Sequence, residues 1–166
     1  MITFKEYQKL STDDQLTIYE ACRASRLPKV DCTNWLWGQV KFTQDEIKDS
    51  VDFSTLLKIV RFETILTEHS EASLVIRFFL AIKQSIQSIE EMEAAATAYQ
   101  PSAKEIAAAE EVGGFEVFGT LPQTLRLVGV VAQDVKSVEA MDYNTCFAAL
   151  VYTSKLNDFQ RIIARQ

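Results

Sequence analysis

Glycine, proline, histidine and cysteine are all scarce in this chain. Its 166 residues hold 5 glycines and 3 prolines, too few for a turn-rich β architecture. Cys22, Cys32 and Cys146 are an odd set with no C-x-x-C spacing. With His69 as the single histidine, they match no standard zinc arrangement. Free, mostly buried thiols in a reducing compartment are the simplest expectation; a Cys22–Cys32 disulfide stays open as an alternative that nothing in the spacing favours. Basic excess is also missing. The net charge is −6, and residues 1–50, 51–100 and 101–166 carry 7, 4 and 6 basic side chains against 8, 7 and 8 acidic ones. A nucleic-acid partner is therefore not expected.

No apolar run is long enough for a membrane. The densest, Leu74 to Ile82, is interrupted by Arg77 and falls short of the roughly 20 apolar residues that a spanning helix needs. The opening MITFKEYQKL is polar, so secretion is not expected. Recognisable chemistry is absent as well. Gly113-Gly114 to Gly119 has a phosphate loop's composition without a following Lys-Ser or Lys-Thr, and no G-x-G-x-x-G occurs. Asp45, Glu46 and Asp49 lack the spacing and central glycine of an EF-hand. No Ser or Cys lies in a nucleophile elbow, and His69, between Glu68 and Glu71, suits a surface position. No catalytic, cofactor-binding or metal-ligating residue stands out, and a non-enzymatic role is expected.

What the chain does have is helix signal. Hydrophobic residues make up 48% of it. The centre is residues 52–99. Asp52 is placed to cap a helix from Phe53, with Leu56, Leu57, Ile59, Val60, Phe62 and Leu66 on a wide apolar face; it should end near Glu68 to Ser70, with Ser70 capping the next. That second helix is apolar nearly all round at its start, and its face narrows to Ile86, Ile89 and Met92. Arg77 is expected to reach the surface along its stem or to pair with a carboxylate; a charge placed at a subunit interface is the alternative. The acidic stretch from Ile86 to Phe118 suits a solvated face.

Around this pair, residues 3–9 predict a short helical turn. Ser11 is placed to cap a helix with Leu16, Tyr19, Ala21 and Cys22 inward, ending at Leu27-Pro28. A third helix is predicted from Trp35 to Lys48, with Leu36, Val40 and Ile47 inward, although WLWGQVKF also fits a strand. Gly38 inside it weakens the helix by about 1 kcal/mol relative to Ala and suits a close approach by another helix. Beyond Gln100-Pro101, Ser102 and Glu105 fit a capping box for AKEIAAAEEV, closed by Gly113. Thr120 and Gln123 fit a second, opening QTLRLVGVVAQ. Asp134 or Ser137 starts a short piece, and Asp142 caps a last helix from Tyr143 to about Ala164, with Phe147, Leu150, Val151, Phe159, Ile162 and Ile163 inward. The expected fold is all-α: an irregular multi-helix bundle built around a central antiparallel helix pair, with residues 1–100 as a helical core and 101–166 as part of the same domain.

Two aromatic groups are candidate interface residues: Trp35, Trp37 and Phe42 in the third helix, and Phe115 and Phe118 in the Gly-bounded loop 113–121. The first group fits a core anchor as well as an exposed contact.

EVGGFEVFGTL, the later DVKSVEAMDYNTCFAAL and the closing YTSKLNDFQRIIARQ place a Gly-bounded aromatic loop, an acidic hinge and an aromatic-led helix in that order. In this the last third of the chain resembles small helical virion and assembly proteins of tailed bacteriophages. The resemblance implies a copy-repeated part of a head, connector or tail, or a chaperone for one, in the cytoplasm or the virion; it carries no functional residue over. The partners expected are proteins, including further copies of this chain. The alternatives are a monomeric helical adaptor that binds a partner helix in a groove, and an enzyme with a pocket between helices, which would need a carboxylate cluster the sequence does not reveal.

Overall fold

The computed structural model describes residues 2–48, 51–97 and 120–164. The fold is an all-α multi-helix bundle with eight α-helices among these residues. They are α1 (Phe4–Tyr7), α2 (Thr12–Ala24), α3 (Trp37–Ile47), α4 (Phe53–Glu63), α5 (Ala72–Ala96), α6 (Leu121–Leu127), α7 (Val135–Glu139) and α8 (Tyr143–Ala164). Only isolated β-bridges occur among the described residues. No helix there is long and apolar enough to cross a membrane. The predicted helix over AKEIAAAEEV, its capping box and the boundary near residue 100 lie outside the described residues, as does most of the Gly/Phe loop.

The chain forms two compact units, Met1–Cys32 with Glu46–Ser88, and Thr33–Asp45 with Ile89–Gln166. In the first, α4 and α5 supply most of the buried apolar side chains, among them Leu57, Ile59, Val60, Val75, Ile76, Phe79 and Ile82. Asp52 caps α4 as expected, accepting from the Ser54 and Thr55 amides at 2.7 and 3.0 Å. The helix ends earlier than predicted, at Glu63. Thr64 turns extended, and its amide and hydroxyl both donate back to the Val60 carbonyl. Ser70 does not cap α5; its hydroxyl accepts from the Thr67 amide at 2.9 Å. The carbonyls of Glu68 and Ser70 instead accept from the Lys5 and Phe4 amides at 2.8 Å, which satisfies two of the donors that a helix start leaves open. Thr3 and Glu6 form a capping box on α1. Phe4, Tyr7 and Phe53 meet with ring centroids 5.7 to 5.9 Å apart.

Ser11 caps α2, but the predicted inward face is mostly wrong. Only Cys22 is buried, and Leu16 and Ala21 are exposed. Arg77 does not seek a carboxylate: its guanidinium donates to the Arg26 carbonyl, so a backbone acceptor takes the charge-assisted bond. All three thiols are free and buried.

In the second unit, the strand alternative for WLWGQVKF does not hold: helix runs from Trp37, and only Leu36 makes an isolated bridge. Leu36 pairs with Asp142 in an antiparallel bridge: the Trp37 amide donates to the Met141 carbonyl at 2.8 Å and the Tyr143 amide to the Trp35 carbonyl at 3.0 Å. Helix begins only at Trp37. Extended backbone alternates its side chains, so Trp35 and Trp37 are buried while Leu36, expected inward, is exposed. Thr120 makes no side-chain cap on α6; its hydroxyl and amide donate to the Asp45 carboxylate, at 2.8 and 3.1 Å to the nearer oxygens. That helix stops at Leu127, short of the predicted Gln133, because Gly129 turns the chain at φ 80°, a conformation that favours glycine. Asp134 and Asp142 cap α7 and α8 as expected, accepting from the Ser137 and Thr145 amides at 3.0 and 2.8 Å.

Candidate functional site

The second unit encloses a polar cluster built by α3, α5 and α8. The α3 face carrying Trp37 also carries Lys41 and Gln44, four and seven residues on. From α5 comes Glu93, four residues after the buried Ile89; α8 adds Tyr143, its first residue. Lys41 Nζ donates to both Glu93 oxygens at 2.6 and 2.7 Å and to Gln44 Oε1 at 2.9 Å. Gln44 Nε2 and the Tyr143 hydroxyl also donate to Glu93, at 3.2 and 2.9 Å. The ammonium lies 4.3 Å from the Trp37 ring centre, a cation–π contact. Trp37 stacks on Tyr143 at 5.6 Å and donates its indole N–H to Thr124 at 2.9 Å.

Electrostatics follow from that burial. The Lys41 and Glu93 side chains are only 5% and 6% exposed. Burial pulls the Lys41 ammonium below the ordinary lysine value, and the Glu93 charge opposes that pull. Burial, reinforced by Glu93, pushes the Tyr143 hydroxyl far up, so it serves as a neutral donor. Every donor of the ammonium is engaged and Glu93 accepts from three side chains. The cluster is arranged as a satisfied buried ion pair, which fixes three helices relative to one another; it offers no free base or nucleophile.

A cavity of about 210 Å³ adjoins it, lined by Gln44, Glu93, Thr97, Thr120 and Gln123 among others. Gln123 Oε1 is buried there without a partner. The volume lies below the roughly 300 Å³ at which small-molecule sites usually begin. A groove of about 540 Å³ in the first unit runs past Asp52, Phe53, Leu57 and Arg61. Two of its polar groups already have work: Asp52 caps α4, and Arg61 Nε donates to the Leu66 carbonyl at 3.2 Å. No group of three or more His, Cys, Asp or Glu able to hold a metal occurs among the described residues.

Among the described residues, α8 carries a run of exposed apolar side chains. Its first half is anchored by Tyr143, Cys146 and Leu150, all buried. Its second half exposes Tyr152 (67%), Leu156 (39%), Phe159 (59%), Ile162 (59%) and Ile163 (54%). Phe159, Ile162 and Ile163, expected inward, are therefore outward. At about 100° per residue, Tyr152, Leu156, Phe159 and Ile163 fall within roughly 60° of one another, nearly opposite the Tyr143–Cys146–Leu150 line. The helix thus has two apolar faces, and the described residues cover one of them.

The sequence candidates divide. Trp35 and Trp37 are buried and Phe42 is half-buried, which favours the core-anchor reading for the two tryptophans. Phe115 and Phe118 lie outside the described residues. His69 is exposed, 3.6 Å from Glu68. Sequence reasoning missed Glu93, read as part of a solvated acidic face, and preferred Met92, which is 38% exposed. The signal was present: Ile82, Ile86, Ile89 and Glu93 follow one another at spacings of four, three and four, so Glu93 continues the apolar stripe. No protein-family model, curated protein or solved structure matches this chain.

Proposed function

We propose that this protein is a non-enzymatic structural or assembly component that works through helix-mediated protein–protein contacts. The supporting observation is the outward apolar stripe of α8. A surface helix normally gives solvent its polar side, and a contiguous exposed apolar patch marks an interaction face. Two further features agree with this reading. The polar cluster of the second unit is saturated, as a rigid scaffold would have it. The stripe also lies in the part of the chain that resembles tailed-phage virion and assembly proteins, so a head, connector or tail part, or its chaperone, is the specific role proposed.

The test is co-expression with the neighbouring genes, followed by light scattering. The reading expects a complex of defined mass that the Phe159→Glu/Ile163→Glu double variant cannot form, while Asn157→Glu, an exposed change off the stripe, leaves it intact. A complex indifferent to the double variant would overturn the assignment of this face.

A further inference from the structure

We infer that the occupant of the α8 stripe is a second copy of α8, packed antiparallel; this rests on the contact-face reading above. Tyr152, Leu156, Phe159 and Ile163 are spaced four, three and four, the alternation of a coiled-coil seam. That pattern is its own complement when reversed. With a two-fold axis between Asn157 and Asp158, Tyr152 of one copy meets Ile163 of the other, and Leu156 meets Phe159.

The same register fits the free length of the helix. It sets Ala164 of one copy against Val151 of the other, so the overlap covers the half of α8 that is exposed among the described residues. It stops short of Leu150, the last buried residue of the anchored half. The flanks agree too. Lys155 falls beside Ile162 of the other copy, over which its methylene stem can lie. Thr153 falls beside Gln160, and no like charges oppose each other. Asp158 and Arg161 already pair within the helix at 2.6 Å.

Area sets the strength. Taking about 150–250 Å² for a large side chain, the exposed parts of the four seam residues amount to roughly 400 Å² per copy, so two copies bury on the order of 800 Å², below the standard size and in the range of weak, transient contacts. The dimer is therefore weak and reversible, suited to a contact repeated many times in an assembly.

The experiment uses two single-cysteine additions to the full chain, Leu156→Cys and Phe159→Cys, oxidised separately and mixed, with wild type as the control for the three buried native thiols. Wild-type mass is measured by light scattering over a hundred-fold range of concentration. Antiparallel pairing predicts cross-linked dimer in the mixture well above that in either variant alone, and a wild-type mass that rises from one copy toward two. Strong cross-linking of each variant with itself would overturn the orientation. A wild type monomeric throughout, with no cross-link in the mixture, would overturn self-pairing. The contact-face reading would still stand if the co-expressed complex remained sensitive to the Phe159→Glu/Ile163→Glu change, and would fall if it did not.

Discussion

Gly38 lies against Glu139 so closely that a Cβ on Gly38 would sit 2.8 Å from the Glu139 Cβ and 3.1 Å from its carbonyl oxygen. Neither atom is the flexible end of a side chain, so the backbone of α3 or α7 would have to move. By helix propensity alone, Gly38→Ala should gain about 1 kcal/mol. The contact reverses the sign: overpacking should cost about 1–3 kcal/mol. A lower melting temperature for Gly38→Ala is the expected result, and a higher one would mean that the approach is looser than described.

Lys41 and Glu93 are coupled through their burial. Removing one partner strands a buried charge, so Lys41→Met or Glu93→Leu alone should cost about 3–5 kcal/mol. Removing both together should cost much less than the sum, because no charge remains to be solvated. Chemical denaturation of the two single variants and the double variant completes the cycle. Additive losses would show that the pair is not coupled as its geometry indicates.

Acid should weaken the fold through its caps. Hydrogen bonds from backbone amides and neighbouring hydroxyls hold the carboxyls of Glu6, Asp52, Asp134 and Asp142 below their usual range. A folded-state value below the unfolded one means that the contribution is present above about pH 4 and fades as pH falls through the depressed values. Asp→Asn at positions 52, 134 and 142 keeps a capping oxygen but removes the titration. Thermal melts from pH 7 to 2 should show a shallower acid decline in this triple variant; an unchanged decline would assign it to other groups.

Alkali acts on the thiols in the opposite sense. Burial pushes Cys32 and Cys146 up to about 11. Their contribution is complete below the ordinary thiol range, near pH 9, and is lost as pH rises through about 11. Alkylation at pH 8 should be slow in the native protein and reach all three cysteines only in denaturant. Rapid native labelling of Cys32 or Cys146 would contradict their burial.

The all-α class and the caps at Ser11, Asp52, Asp134 and Asp142 were legible because they depend on neighbours three or four residues away. The role of Gly38 was legible only as a glycine out of place inside a helix; its partner, Glu139, is far along the chain. What escaped was set at long range. Thr120 looked like a cap, but its hydroxyl is taken by Asp45. Glu93 looked solvated, because the lysine that permits its burial is fifty-two positions earlier. Phe159, Ile162 and Ile163 looked inward because apolar period alone marks a buried face without saying whether the chain itself or another molecule covers it.

Amide hydrogen exchange across α8 would show whether its exposed face is the contact. Exchange would be compared between dilute protein and concentrated or co-assembled protein. Residues 152–164 should gain protection on assembly, with the anchored residues 143–150 protected in both states. Assembly that leaves 152–164 exchanging as in dilute solution would contradict that contact.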